Sequence, residues 1–342
     1  MFMKKRIANS LLLLVFCSTT IFSQTIQILQ SDKKTSIRGL TVVTDKIMWA
    51  SGSNGTVAKS TDGGNNWQWM IIKDHEKRDF RDIEAFDSNT AIIMAVAEPA
   101  LILKTKDGGK SWDKVFEDTT KGMFLDAICF ADETTGMVIG DPIHTKPFIA
   151  MTMDQGDHWM DPVRGDSSKL PTLFSGEAFF ASSGTNLFIK RNDENKLIGG
   201  FASGGMKARF FSDKENFPIP LIQGKESTGS NSVAINKANQ MTIVGGDFAH
   251  DKDTVGNCAL SNDLGRTFSK PTVSPHGYRS CVIYFTEKQL IACGTSGVDI
   301  SNDGGDHWQL ISTESFHVVQ KAKQGNAIFL AGNKGRIAKL IL

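Results

Sequence analysis

The sequence predicts an all-β protein, a seven-bladed β-propeller in a single domain. Three observations predict it. A turn-forming octet recurs along the chain, short apolar runs punctuated by Gly, Asn and Asp fill the intervals, and no stretch sustains the 3.6-residue period of a helix.

The octet reads Ser60-Thr61-Asp62-Gly63-Gly64-Asn65-Asn66-Trp67 and returns as Thr105 to Trp112, Thr152 to Trp159, Ser261 to Phe268 and Ser301 to Trp308. A degenerate copy, Ser212-Asp213-Lys214-Glu215-Asn216-Phe217, stands between the third and the last two. The aspartates at 62, 107, 154, 213, 263 and 303 are separated by 45, 47, 59, 50 and 40 residues. The chemistry is that of a tight turn. Asp and Ser/Thr side chains accept backbone N–H groups, and Gly supplies positive φ. The Trp or Phe folds into the seam between neighbouring sheets, burying on the order of 200 Å². The repeated Asp is therefore structural, not catalytic.

Each interval holds four short strands, enough for one blade. In the first unit these are Arg38 to Val43, Lys46 to Ala50, Thr56 to Ser60 and the run from Trp67 to Met70. The seventh unit supplies three strands, Ser315 to Val319, Ala327 to Leu330 and Arg336 to Leu340, and ends without an octet. The spare strand Thr25 to Gln30 is expected beside Arg336 to Leu340. That pairing closes the ring and removes its exposed edges.

Residues 1–23 read as an export signal ahead of a propeller spanning 24–342. Lys4, Lys5 and Arg6 form a basic n-region, Leu11 to Phe16 a short apolar core, and the cut is expected between Ser23 and Gln24. Phe16 before Cys17 argues against a lipidation box. The destination is periplasmic or extracellular. No later segment is long and apolar enough for a membrane span. Removing the signal leaves 35 basic against 37 acidic side chains, a balance of −2. No nucleic-acid footprint follows, and the protein is expected to be a monomer.

No zinc spacing and no catalytic metal motif is present. Asp247 with Asp251 and Asp253 lacks the Gly and terminal Glu of a calcium loop and reads as a solvated loop. Cys129 and Cys258 read as buried free thiols. Cys281 and Cys293 flank a turn near Thr286 to Gln289 and stand either opposite or offset by one across a hairpin. Opposite placement at a non-hydrogen-bonded pair permits a disulfide; an offset by one puts the thiols on opposite faces.

The octet resembles the Asp box of sialidase-like and related propellers. The longer unit, Gly52 to Trp67 and again Gly294 to Trp308, resembles the photosystem II stability and assembly factor family, over nearly the whole chain after the signal. More narrowly, Ser36 to Leu40, Asp79 to Asp82, Gly176 to Thr185, Gly245 to Asp247 and Gly277 to Ser280 resemble exported bacterial relatives often labelled oxidoreductase. No G-x-G-x-x-G opens a helix and no flavin or haem motif appears, so no cofactor is expected.

Aligning the units puts Arg38, Arg81, Leu125, Glu177, Asn231, Arg279 and His317 at one inner-strand position, ringing the channel mouth opposite the Asp boxes. Asp82 and Asp126 follow by one residue. Glu98, Asp141, Asp247 and Asn333 end second strands at the same mouth. Converging Arg38, Arg81 and Arg279 with Glu177 and Asp247 make a pocket preferring carboxylate or other oxyanions. The alternative is internal Arg–carboxylate pairing that merely satisfies buried polar groups.

Two functional readings follow. One is a binding or assembly propeller holding an anionic small molecule, a glycan or a protein segment. The other is a glycan-acting hydrolase, because the resemblance to sialidases implies three Arg, a Tyr–Glu nucleophile pair and an acidic Asp. Arg38, Arg81, Arg279, Tyr278, Glu177 and Asp82 offer those types. Tyr278 and Arg279, as strand neighbours, point to opposite faces, which disfavours the hydrolase.

Overall fold

The computed structural model describes residues 24–212 and 215–341. The expected signal segment, with Asp213 and Lys214 of the degenerate box, lies outside the described residues. Seven antiparallel sheets follow one another along the chain, one per blade. Helical structure among the described residues is confined to two three-residue 3-10 turns, Ser167–Lys169 and Asn333–Gly335. None is long and apolar enough to cross a membrane.

Blade one shows the repeating plan. Ile37–Val42 is innermost, then Met48–Gly52, Thr56–Ser60 and, outermost, Gln68–Ile71. Blade seven closes the ring as expected. Thr25–Gln30 pairs antiparallel with Ile337–Ile341, Thr25 opposite Ile341 and Ile28 opposite Ala338. Among the described residues, six buried clusters fill the seams, joining, for example, Trp49 of blade one with Ile83 and Leu103 of blade two.

Two blades depart from four regular strands. After the box of blade three, only Met160 bridges back to Met151; after that of blade five, only Ser269 bridges to Leu260. Both have a proline three residues beyond the box aromatic, Pro162 after Trp159 and Pro271 after Phe268. Proline offers no ladder N–H, so the outer strand stops there. Blades one, two and six lack that proline and complete the strand. Blade five gains a two-residue antiparallel pair at its inner edge instead, Glu177–Ala178 with Gly204–Gly205, the latter bridged to its inner strand at Gly229.

The boxes are built as their chemistry dictates. Ser60 Oγ donates to Asp62 Oδ1 (2.9 Å) and accepts the Gly64 N–H (3.0 Å), while Asp62 Oδ1 accepts the Asn66 N–H (2.9 Å). The same bonds recur at Thr105, Thr152, Ser261 and Ser301. Hydrogen bonds to the charged carboxylate hold Asp154 near pKa 2 despite partial burial, and hold Asp62 and Asp303 low. The second box glycine abuts the preceding blade: a Cβ on Gly156 would lie 2.4 Å from Ile92 Cδ1, and one on Gly265 2.4 Å from Phe210 Cδ1. The box is thus the clamp between neighbours.

Candidate functional site

The first four residues of each innermost strand decide what faces the channel. In blades one, two, three and five the ladder skips one residue there, at Arg38, Arg81, Asp126 and Asn231. In blades six and seven, Ser280 and His317 occupy the equivalent place: each N–H bonds the second strand (Ser280 to Cys293 O, His317 to Ala331 O) just before regular pairing begins. A bulge projects its extra residue out of the ladder. The ring of inward residues is therefore Arg38, Arg81, Asp126, Asn231, Ser280 and His317. The sequence alignment was one residue early in blades three and six, where it chose Leu125 and Arg279.

Blade four differs more. Its innermost strand is Leu187–Arg191, not the segment at Glu177. The long 59-residue interval holds an insertion whose end, Ser182 to Thr185, lies across the channel. Ser182 O accepts from Arg38 Nη1 (3.3 Å) and Ser182 Oγ donates to Asn231 Oδ1 (2.7 Å). Ser183 Oγ donates to Ser280 O (2.7 Å), and Thr185 Oγ1 donates to Ser232 Oγ (2.7 Å). Gly184 sits so tightly on Asp82 that a Cβ would lie 2.2 Å from its carboxylate. Blades one, two, five and six all touch this plug.

Around the plug, the mouth gathers five of the expected site residues. Arg38 stands beside Arg81, Tyr278 and His317; its pKa is lowered by burial first and then by Arg81. Arg81 Nε bonds Asp79 (2.8 Å), and its guanidinium rests over Phe124. Among the described residues Arg38 has no carboxylate partner. Tyr278 Oη donates to Asn231 Oδ1 (2.8 Å) and lies 3.2 Å from Ser182 Oγ; burial pushes its pKa up to about 12. His317 is buried, and its Nε2 has no hydrogen-bond partner among the described residues. Burial and the two arginines bring its pKa down to about 4. Asp126, fully buried, finds no hydrogen-bond partner of good geometry for either oxygen. Burial and then Asp141 push its pKa well up, against the pull of Arg81. Asp141 accepts the Phe179 N–H, and burial raises it to about 6.

The other expected residues are structural here. Arg279 is fully buried and paired with Asp299 (Nε to Oδ2, 2.7 Å) inside blade six. Glu177 accepts from Arg209 (2.5 and 2.9 Å) and Ser203 (2.5 Å). Asp247 accepts the Ala249 N–H (2.9 Å) and meets His250 (3.0 Å). Asp82 stitches inner strands, accepting the N–H of Ile83 (2.8 Å) and, in the next blade, of Ile128 (2.7 Å). Burial pushes it well above the usual carboxylate range, against those two bonds. Three arginines therefore do not converge, and Tyr278 bonds Ser182 and Asn231 where a Tyr–Glu pair was envisaged. Arg209 and Asp299 were missed. A lone charge inside a strand otherwise apolar, as in Gly297–Ser301, is the signal of such a buried pair.

His317 carries a pH prediction. Folded, it titrates near 4; unfolded, near 6.5. Between those values only the unfolded chain takes the proton, so stability falls as pH drops through that window, by about 3 kcal/mol. Urea midpoints at pH 7 and pH 4 should show that loss in the parent and a smaller one in His317→Gln. Equal losses in both would refute it.

The chain matches the family model described as Photosynthesis system II assembly factor YCF48 over residues 19–340. Among solved structures it is similar to YCF48 bound to D1 peptide (17% identity, 95% of this chain, 98% of that one, TM-score 0.63). It is also similar to YCF48 from Cyanidioschyzon merolae (15%, 92% and 98%, 0.61) and to the GH74 xyloglucanase from Xanthomonas campestris (11%, 92% and 53%, 0.62). At these identities the structural likeness carries the fold alone. No curated protein sequence matches the chain.

Proposed function

We propose that this chain, which belongs to the Photosynthesis system II assembly factor YCF48 family, is an exported binding propeller that holds an anionic segment of a partner protein at the Arg38–Arg81 mouth. One observation carries the reading: Arg38 is largely withdrawn from water beside a second guanidinium, with no carboxylate of its own. Such a cation is costly to keep unless an anion completes it, and the planar fork suits a carboxylate. Arg81, although paired with Asp79, adds to the positive field. A related propeller has been solved with a peptide bound, which supports a protein segment over a free small anion. The polar edge of the plug, Ser182 with Asn231 and Tyr278, offers hydroxyl and amide groups beside the cation.

The hydrolase reading has no geometric support of this kind, since Arg279 and Glu177 are engaged elsewhere. Export rests on the basic and apolar run before Ser23; the protein recovered outside the cytoplasm should begin at Gln24, and recovery of an uncleaved cytoplasmic chain would sink that part.

Binding of fluorescent acidic peptides with free C-termini, with citrate as competitor, tests the site. Arg38→Ala should weaken binding by about 1.5–3 kcal/mol, roughly tenfold or more, the worth of a charged hydrogen bond. Its urea midpoint should stay near the parent's. Unchanged affinity in Arg38→Ala, or no acidic peptide bound at all, would overturn the proposal.

A further inference from the structure

We infer that Cys281 and Cys293 form an oxidation site, a dithiol that a peroxide closes to a disulfide just behind the wall of the axial channel. The register resolves part of the ambiguity left by the sequence: Cys281 stands directly opposite Cys293 on neighbouring antiparallel strands. The pair is a hydrogen-bonded one and not the non-hydrogen-bonded one expected, since Phe285 N–H bonds Gln289 O four residues along the same ladder. Both are free thiols and fully buried. Residues paired in this way hold their Cα atoms about 5.5 Å apart, inside the roughly 4.4–6.8 Å that a disulfide spans. Closure therefore asks for little backbone movement.

Access comes from below the plug. A cavity of about 340 Å³ runs up the axis from exposed Lys323, on the Asp-box side, to Asp82, Gly184 and Thr185. Thr185 Oγ1, at its blind end, lies 3.6 Å from Cys281 Sγ. A water-sized peroxide reaching Thr185 is thus one contact from sulfur. Burial opposes ionisation of Cys281, but the facing Cys293 thiol and the polar surroundings of Thr185 and Ser183 bring it down to about 7, while burial keeps Cys293 protonated. Cys129 also lines the cavity, yet burial pushes it up to about 12, and its cross-strand partner is Met137, which has no thiol to close a disulfide.

The step balances. The Cys281 thiolate attacks one peroxide oxygen and the O–O bond breaks, giving a sulfenic acid and, with the thiol's proton, one water. Cys293 sulfur then attacks the sulfenic sulfur. The S–S bond forms, the S–O bond breaks, and hydroxide leaves with the Cys293 proton as a second water. Two thiols are oxidised and one peroxide is reduced. Cys281 then no longer donates to Val319 O (3.4 Å), which loosens blade six from blade seven, and its contact with Thr185 weakens, which loosens the plug where it meets blade six.

Full-chain protein is exposed to stoichiometric hydrogen peroxide, alkylated in denaturant and mapped by peptide mass. The expected product is a Cys281–Cys293 cross-link two hydrogens lighter, reversed by dithiothreitol, with Cys129 and Cys258 still alkylated. Cys293→Ser should trap a dimedone-reactive sulfenic acid at Cys281. The inference is overturned if all four thiols stay alkylatable in excess peroxide. Oxidation of Cys129 ahead of the pair overturns it equally, as does Cys281 sulfinic acid beside a free Cys293.

Discussion

Arg279→Ala should cost about 3–5 kcal/mol of folding stability, the range for stripping one partner from a buried ion pair. The Arg279 side chain is wholly enclosed in blade six. Its Nε and Nη2 both donate to Asp299 Oδ2, and its Nη1 donates to Tyr278 O and Ser296 Oγ, each at 2.8 Å. Asp299 in turn meets His276 Nδ1 through its other oxygen (2.6 Å). Truncation leaves a buried carboxylate without its guanidinium and uncaps two further acceptors. Lysine does not substitute, because a point charge on a flexible stem cannot serve three acceptors as a planar fork does. Removing both charges is different: Arg279→Met with Asp299→Leu should recover most of the loss, since a buried pair and a well-packed apolar pair are often close in stability. Urea denaturation of the singles and the double gives the coupling directly. A loss under 1 kcal/mol for Arg279→Ala, or strictly additive singles, would show the pair to be idle. The same substitution at Arg38 should leave folding nearly intact, because Arg38 has no buried carboxylate to abandon.

That contrast between two arginines at one aligned sequence position shows where sequence reasoning reached and where it stopped. The octet is a local turn whose bonds lie within five residues, so Ser60 to Trp67 and its copies exposed the blade count directly. Ring closure by Thr25–Gln30 followed from a missing strand. The inner register did not follow. A bulge adds one residue to a strand without disturbing its apolar pattern, so nothing in the runs near Leu125 or Arg279 marks which residue leaves the ladder. The one-residue error exchanges channel for interior: Arg279 faces Asp299, while Asp126 and Ser280 face the axis. Blade four was hidden differently. Its plug has the composition of an ordinary loop, and only contacts with Arg38, Asp82, Asn231 and Ser280, far apart in sequence, reveal that it crosses the channel. The lost outer strands of blades three and five were legible in Pro162 and Pro271, had the prolines been weighed against the repeat.

Trp308→Ala should destabilise the ring by about 3–5 kcal/mol, and Trp67→Ala by clearly less. Both are box tryptophans at the same turn, and both donate Nε1–H to the second box glycine's carbonyl, at 2.8 Å to Gly305 and 3.0 Å to Gly64. They differ in burial. Trp308 is only 3% exposed, enclosed at the seam of blades five and six with Val244, Cys258 and Val282. Trp67 is half-buried at the seam with the closing blade and keeps one side wet. Deleting a side chain costs its transfer free energy plus the cavity left behind, and a partly wet site lets water refill the space. Trp308→Phe isolates the remaining term: it keeps most of the packing, loses the N–H bond to Gly305, and should cost about 1–2 kcal/mol. Urea unfolding of the three variants decides the matter. Equal losses for the alanine variants at 308 and 67 would mean that the box aromatic stabilises its own turn; unequal losses place its work in the seam, where the apolar surface of one blade must be covered by the next for the ring to hold.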